Sequence, residues 1–296
     1  MKSWSNGKIV EGKVSIDSFN YALHYGGPAV WEGIRAYKQE NGDTKIWALR
    51  EHIERLFDSA KIVGLEIPYT IDDMVKACED VVKANGNGDL YLRPIAYSNI
   101  DAESILVKPM EVSVDVYCVP IPPLHSVGKG LKMAISGLVR SYPQYNMQAK
   151  TPSNYAVIQP AKTIMKEQSV DDVFVIDNQG YVVEATVANF FVFKGDVAMT
   201  PPNRGSILPG ITRRTVAGIL NDRTLMFTKY KKVPLVIEKD ITRADIYTAD
   251  CVILCGTYAE VVRVDQVDGK KIGTDETQTY YEILSEEYRK LVRGRR

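Results

Sequence analysis

Three stretches of the chain hold residues whose types and spacing suit chemistry. In NMQAKTPSNY (Asn146 to Tyr155) a lysine, Lys150, stands among small and polar residues, followed by a Pro-Ser-Asn turn and then Tyr155. A lone lysine is by default a solvated surface charge. Held in a dry site, it loses its proton readily and becomes a nucleophile toward an aldehyde. In YVVEATVANFFVF (Tyr181 to Phe193) an acid, Glu184, lies between apolar neighbours on strand-like sequence. A half-buried acid needs a partner, so Glu184 is either one member of a core ion pair or a charge that faces a ligand. In LPGITRRTV (Leu208 to Val216) Pro209 and Gly210 precede a helical run that starts at Ile211 and Thr212. The first N–H groups of a helix lack internal partners and sit at the positive end of its dipole, so such an end accepts a phosphate. The plainer reading is a turn before a helix.

Other positions offer weaker signals. YLRPI sets Tyr91 and Arg93 on one face of a strand, away from Leu90 and Leu92. A hydroxyl and a guanidinium suit a carboxylate, and equally an ordinary surface. CGTYAE ends a strand in a glycine turn at Gly256, where the amides of Thr257 and Tyr258 suit an anion. Arg55 falls opposite the apolar stripe of its helix, which makes it solvated or directed at a second domain. His24 and His52 read as structural or exposed, because no serine or cysteine nucleophile motif accompanies them. The four cysteines (Cys78, Cys118, Cys251, Cys255) sit among apolar residues and only three histidines exist, so buried thiols in a reducing cytosol are expected and no metal site. No dinucleotide-binding or Walker sequence occurs.

These residues need elements to hold them. Asn6-Gly7 signals a two-residue hairpin. Residues 29–38 and 44–49 read as two strands joined by a Glu-Asn-Gly-Asp turn, and 51–63 as a helix with Ile53, Leu56, Phe57, Ala60 and Val63 on one face. Thr70 with Asp72 and Asp73 caps a second helix that ends near Asn85-Gly86. Residues 89–98 and 111–119 alternate as strands. The proline- and glycine-rich run 119–130 can be neither helix nor central strand. It divides a small N-terminal domain, 1–120, from a large C-terminal domain, 131–296, through a linker at 121–130. Beyond it come a strand near 131–138, a helix near 153–168, a hairpin turning at Asp177 to Gly180, the run FFVFKGDVAMT, the helix from 211, a strand at 233–238, a short helix at 242–248, the strand CVILCG and a final helix over about 275–292. Strands and helices mix without regular alternation, which predicts an α+β fold.

Composition bounds the partners. The chain has 296 residues, with lysine plus arginine balancing aspartate plus glutamate at 37 each. No net field points to nucleic acid or membrane, so a small-molecule ligand is expected. The start MKSWSNGKIV has no apolar signal core, and runs such as CVILC are too short to span a bilayer. A cytoplasmic protein is expected.

Taken together, ALHYG (22–26), WEGIRAY (31–37), REHIERLFDSAK (50–61), YLRPI, the Lys150 stretch, LPGITR and GTYAEV occur in an order that resembles the branched-chain amino acid aminotransferases, fold-type IV pyridoxal-phosphate enzymes. The resemblance implies a two-domain α+β fold, with a smaller N-terminal α/β domain and a larger C-terminal domain built on a mixed, barrel-like sheet. It implies pyridoxal 5'-phosphate as cofactor and Lys150 as the Schiff-base lysine that moves the proton. Arg55 and the amides of Ile211 and Thr212 would hold the phosphate, Tyr155 the ring hydroxyl, and Glu184 the ring nitrogen. Thr257, Tyr258 and Tyr91 would grip the substrate α-carboxylate. Trp31, Gly33, Tyr91 and Tyr25 of a partner subunit would line the side-chain pocket, and Arg93 would admit glutamate's second carboxylate. A homodimer completes the site in that family. The chain departs from the family pattern at EATVAN (184–189), where E-G-x-G-E-N is usual, at Tyr258, where alanine is usual, and at the Thr-Pro-Ser after the lysine. The same cofactor also serves D-amino acid and (R)-amine transaminases and aminodeoxychorismate lyase, and a phosphate-binding module without chemistry is the reading from another class.

Overall fold

The computed structural model describes residues 1–106, 111–121, 129–140, 147–156, 158–221, 235–274 and 279–294. The chain forms two compact units. The first is Met1–Pro122 with Ala149–Ala156 and Val292–Gly294; the second is Pro123–Gln148 with Val157–Leu291 and Arg295–Arg296. This differs from the expected split at one place that matters. Lys150 and Tyr155, expected within the C-terminal domain, pack with the first unit. Residues 122–128 of the expected linker lie outside the described residues.

The first unit opens with β1 (Lys2–Ser5) and β2 (Lys8–Glu11), joined by Asn6 and Gly7, both at positive φ. Then follow α1 (Tyr21–Tyr25), β3 (Ala29–Trp31), β4 (Ile34–Lys38), β5 (Thr44–Ile46), α2 (Leu49–Ile62), α3 (Ile71–Asn85), β6 (Leu90–Ser98) and β7 (Val112–Pro120). The sheet runs β2-β1-β7-β6-β4-β5 with β3 beside β6, antiparallel throughout. Strand alternation sorts its two faces. Leu90, Leu92, Ala96, Val114, Val116 and Cys118 pack into a core with Ile53, Leu56 and Ala60 of α2 and Met74, Ala77, Cys78 and Val81 of α3. The opposite face receives Tyr91, Arg93 and Tyr97 from β6, with Tyr117 and Ser113 of β7 as cross-strand partners of the last two. Thr70 and Asp73 exchange hydrogen bonds at the start of α3, the capping box the sequence predicts. The expected strand over 29–38 is broken at Glu32-Gly33. There the Glu32 N–H donates to the Pro94 carbonyl at 2.8 Å and the Glu32 side chain leaves the pleat.

The second unit comprises β8 (Leu131–Val139), α4 (Ile158–Gln168), β9 (Asp172–Ile176), β10 (Val182–Ala185), β11 (Asn189–Lys194), β12 (Val197–Thr200), α5 (Ile211–Asn221), β13 (Leu235–Glu238), α6 (Arg243–Tyr247), β14 (Cys251–Gly256), β15 (Glu260–Val267), β16 (Lys270–Lys271) and α7 (Thr279–Val292), whose last residue counts with the first unit. Its sheet runs β10-β9-β8-β15-β14-β11-β12-β13, with β16 on β15. It is mixed: β8 lies parallel to β9 and β15, and β12 to β13, while the other pairs are antiparallel. Phe174, Phe190, Val192, Val252 and Leu254 fill its core. The α+β class and the mixed C-terminal sheet are as expected. The helix expected over 153–168 is instead a 3₁₀ turn at Pro152–Tyr155 followed by α4. Pro160 accounts for this, since it has no N–H for a helix reaching further upstream and is tolerated only in a first turn. All four cysteines are buried, and burial holds Cys118 at about 11 and Cys251 and Cys255 at about 12, so they stay protonated thiols. Among the described residues, no helix is long and apolar enough to cross a membrane, and no group of three His, Cys, Asp or Glu is placed to hold a metal ion.

Candidate active site

In the first unit Lys150 is held by its backbone on two sides. The Trp31 N–H donates to the Lys150 carbonyl and the Lys150 N–H to Ser59 Oγ of α2, both at 3.0 Å. Asn154 Nδ2 closes the loop onto the Ala149 carbonyl at 2.8 Å. The side chain is buried. Its Nζ lies 2.6 Å from the Tyr155 hydroxyl, 4.1 Å from the Trp31 ring centre and 5.2 Å from that of Tyr155. Trp31 and Tyr155 themselves pack at 5.1 Å. The lysine is therefore not the solvated charge that is the default for its type. It sits against two aromatic faces with a phenol oxygen within bonding distance.

Arg93, exposed on the polar face of β6, lays its guanidinium over Trp31 at 4.4 Å and over Tyr91 at 5.6 Å. Burial raises the Tyr91 phenol above its ordinary value against the lowering pull of Arg93. A Cβ on Gly33 would collide with the Tyr91 phenol, so glycine is what lets that ring lie where it does. Gly33→Ala is therefore expected to displace Tyr91. On the carboxylate-gripping role that the resemblance implies for Tyr91, it should raise the substrate KM by about tenfold, the size of one displaced hydrogen-bond partner, with little change in thermal stability. An unchanged KM would place Tyr91 outside the substrate's reach. Tyr25 stands apart on α1, largely exposed, with its hydroxyl 3.4 Å from the Ala102 carbonyl.

Arg55 departs from its periodicity. Its side chain is 11% exposed, and Nε and Nη2 donate to the two oxygens of Glu32 at 2.6 and 2.9 Å. His52 Nδ1 lies 2.8 Å from Glu32 Oε2, and the Gly33 N–H donates to the same oxygen at 3.2 Å. Glu32 is fully buried. Burial alone would raise its pKa, but the charge of Arg55, then His52 and the hydrogen bonds outweigh it, and the carboxyl is held well below the usual range. Burial dominates at His52 and lowers its pKa, so the ring is neutral near pH 7 and its Nδ1–H must donate to a carboxylate that only accepts.

Both shifts act in the same direction. Below about pH 6.5 the unfolded His52, and below about pH 4.3 the unfolded Glu32, takes up a proton that the folded protein refuses. Stability is thus highest above the ordinary histidine pKa, falls as pH drops, and falls more steeply in the carboxylate range. Glu32→Gln is expected to cost about 3 kcal/mol at pH 7, by removing the counter-charge of a buried arginine, and to flatten the acid limb. Denaturant melts at neutral and acid pH test this. Parallel losses in wild type and variant would remove Glu32 as the source.

The second unit carries the other half of the expected residues. Glu184 lies on β10 just past a register shift against β9 and is buried. Oε2 accepts from Arg140 Nη1 at 2.7 Å, and Oε1 from Asn189 Nδ2 at 2.8 Å and from the Leu208 N–H at 2.7 Å. Arg140 follows β8 and also donates Nη2 to the Thr186 carbonyl at 3.0 Å. Asn189 reaches the Leu208 carbonyl as well, and a Cβ on Gly210 would collide with its Oδ1. The acid and the start of α5 are thus tied together through one amide, and Ile211 and Thr212 are buried there. Cys255 pairs with Asn189 in register, so Gly256, Thr257 and Tyr258 leave β14 beside Val187 and Ala188. Tyr258 is half-exposed. The EATVAN turn closes without glycine. The Ala185 N–H donates to the Ala188 carbonyl, Thr186 Oγ1 to Asp172 Oδ1 at 2.7 Å, and none of residues 185–188 needs a positive φ.

Glu32, Arg140 and Asn189 were not singled out from the sequence. The first two carried one usable signal: a charged residue that ends an apolar strand, as in AVWE and ISGLVR, must be paired if the strand is buried.

A lysine in an aromatic setting, a strand acid paired with arginine and a helix start tied to that acid lie on a fold with known counterparts. The family model for amino-transferase class IV matches residues 29–267, and the chain belongs to that family. Among its relatives is the branched-chain-amino-acid aminotransferase of Pseudomonas aeruginosa, 30% identical over 99% of this chain and 93% of that protein. The Escherichia coli enzyme of the same name is 30% identical over 91% of this chain and 86% of its own. In solved structures, the branched-chain aminotransferase of Thermoproteus uzoniensis with norvaline superposes with a TM-score of 0.89 at 34% identity, covering 99% of this chain and 95% of that one. The branched-chain amino acid aminotransferase of Thermobaculum terrenum, in its PLP-bound holo-form, does so at 0.86 and 26%, covering 100% and 94%. The fold is that of the type IV aminotransferases.

Proposed function

We propose that this protein is a pyridoxal-phosphate-dependent transaminase that moves the amino group between branched-chain L-amino acids (leucine, isoleucine, valine) and 2-oxoglutarate. The observation that carries this reading is the setting of Lys150, a buried amine 2.6 Å from a phenol oxygen and 4.1 Å from an indole ring. The residues present fit the cofactor. Glu184 offers a carboxyl group paired with Arg140, suited to a protonated ring nitrogen, and the α5 start offers N–H groups suited to a phosphate. Pyridoxal phosphate supplies an aldehyde that takes up amines and a ring that accepts electrons.

The chain supplies the rest. Lys150 would hold the aldehyde and, once released, would carry the proton from the substrate Cα to the carbon that had been the aldehyde. Tyr155 orients its amine. Ile211, Thr212 and Arg55 hold the phosphate, Tyr91, Thr257 and Tyr258 the α-carboxylate, and Trp31, Gly33 and Tyr91 the side chain. Arg93 takes the second carboxylate of glutamate. The branched-chain preference is supported by the names of the relatives and by the aromatic wall, which suits an apolar side chain. A homodimer, with Tyr25 of the partner subunit in the pocket, is supported by the exposed apolar residues Phe19, Leu23, Tyr25, Ile105 and Leu106. A cytoplasmic setting is supported by four buried, unpaired cysteines.

Purified protein should be yellow, borohydride should fix the cofactor on Lys150, and leucine with 2-oxoglutarate should yield glutamate. A colourless protein, or label on another residue, would sink the enzymatic reading. Turnover of D-alanine or an (R)-amine without turnover of leucine would overturn the substrate.

A further inference from the structure

We propose that Trp31 is a specificity-determining residue whose indole face stows the Arg93 guanidinium while an apolar side chain fills the pocket and releases it to a second carboxylate. The inference rests on the transaminase reading above and deepens it.

One pocket that serves both leucine and glutamate faces a conflict. A guanidinium fixed in it would be a desolvated, unanswered charge beside an apolar side chain. Without a guanidinium, the acid of glutamate has nothing to grip. The conflict disappears if the cation has a resting place that is weaker than a carboxylate and stronger than none. A cation over an aromatic face meets that description: it is attracted by the ring quadrupole, but less strongly than by a charge-assisted bidentate pair.

The geometry supplies both a mobile member and a fixed one. Arg93 is exposed, with its guanidinium 4.4 Å over the Trp31 ring and 5.6 Å over that of Tyr91, and it also donates to the Tyr91 phenol oxygen, so Trp31 supplies the ring face of a resting place that it shares with Tyr91. Trp31 is fixed three ways. Its strand pairs with β6 in the register Trp31↔Ile95, its N–H is bonded to the Lys150 carbonyl, and its ring packs on Tyr155. Exposure leaves room for Arg93 to swing off the ring, whereas the ring is held by its strand and its packing. Because Lys150 Nζ approaches the same ring, turnover alone is a poor reporter of this role, and ligand selectivity is the better one.

The test titrates the holoenzyme calorimetrically with two inert carboxylates, 4-methylvalerate as the apolar ligand and glutarate as the acidic one. Trp31→Leu removes the ring face but keeps an apolar wall. The ratio of the 4-methylvalerate Kd to the glutarate Kd is expected to rise by about three- to fivefold, the size of a solvent-exposed cation–π contact. In an Arg93→Met background the same substitution should leave that ratio unchanged. Parallel weakening of both ligands in the presence of Arg93, or an equal selective shift in its absence, would overturn the proposal and leave Trp31 as a plain wall. If Trp31→Leu does not fold, Trp31→Phe takes its place. A rise of about two- to threefold then supports the stow, since the smaller ring holds a cation less well, and no change overturns it. A wild-type holoenzyme that binds neither carboxylate would mark a failure of the transaminase reading itself, which the variants cannot mimic.

Discussion

Lys150→Ala is expected to lower transamination by about a thousandfold or more while the unfolding midpoint stays at or above that of the wild type. The two outcomes have separate causes. The bonds that shape the loop are backbone bonds, from Trp31 N–H to the Lys150 carbonyl and from Lys150 N–H to Ser59 Oγ, and alanine keeps both. What alanine loses is a buried amine, which is costly to hold in place and whose use is chemical. The half-reaction with leucine, followed alongside thermal unfolding, separates the readings. A variant that unfolds would make Lys150 a structural residue, and one that turns over at the wild-type rate would place the chemistry elsewhere.

The second large effect is expected at Glu184. Glu184→Gln should reduce turnover by about a hundredfold or more, the loss typical of removing a preorganised electrostatic group. It should retain the cofactor, because the proposed phosphate grips at Ile211, Thr212 and Arg55 are on other elements. The same substitution strips the counter-charge from Arg140, which is itself buried, so stability should fall by about 3 kcal/mol. The double variant Glu184→Gln with Arg140→Met should regain most of that stability without regaining activity. Loss of cofactor in the single variant, or wild-type rates, would refute the ring-nitrogen role.

The sequence conveyed the parts of this site that are written in consecutive residues. The helix start at Ile211, the strand acid Glu184, the glycine turn before Thr257 and the Tyr91/Arg93 face each follow from local pattern, and the structure places each on the element expected. The charge partners were not legible. Glu32 meets Arg55 across 23 positions and Arg140 meets Glu184 across 44, and no periodicity links residues so far apart. Helical spacing even pointed the wrong way for Arg55. It describes one apolar stripe and is blind to a buried acid delivered by a strand break on the other side. The break at Glu32-Gly33 was hidden for a related reason: AVWEGIRAYK keeps strand composition throughout. The split of the helix after Lys150 was foreseeable from Pro160 alone.

Lys150 and its neighbours count with the first unit although the sequence places them after the start of the second. On the ribosome this sets an order of events. The core of α2 and α3 against β6 and β7 is complete once residue 120 or so has emerged, and chains lengthen at roughly 5–20 residues per second. If that core forms as it emerges, the sheet face bearing Trp31, Tyr91 and Arg93 would stand for seconds without its lysine. A nascent chain arrested before Ala149 would carry Trp31, Tyr91 and Arg93 but neither Lys150 nor Tyr155, so competence is expected to arrive as a discrete late step of synthesis rather than as a gradual gain.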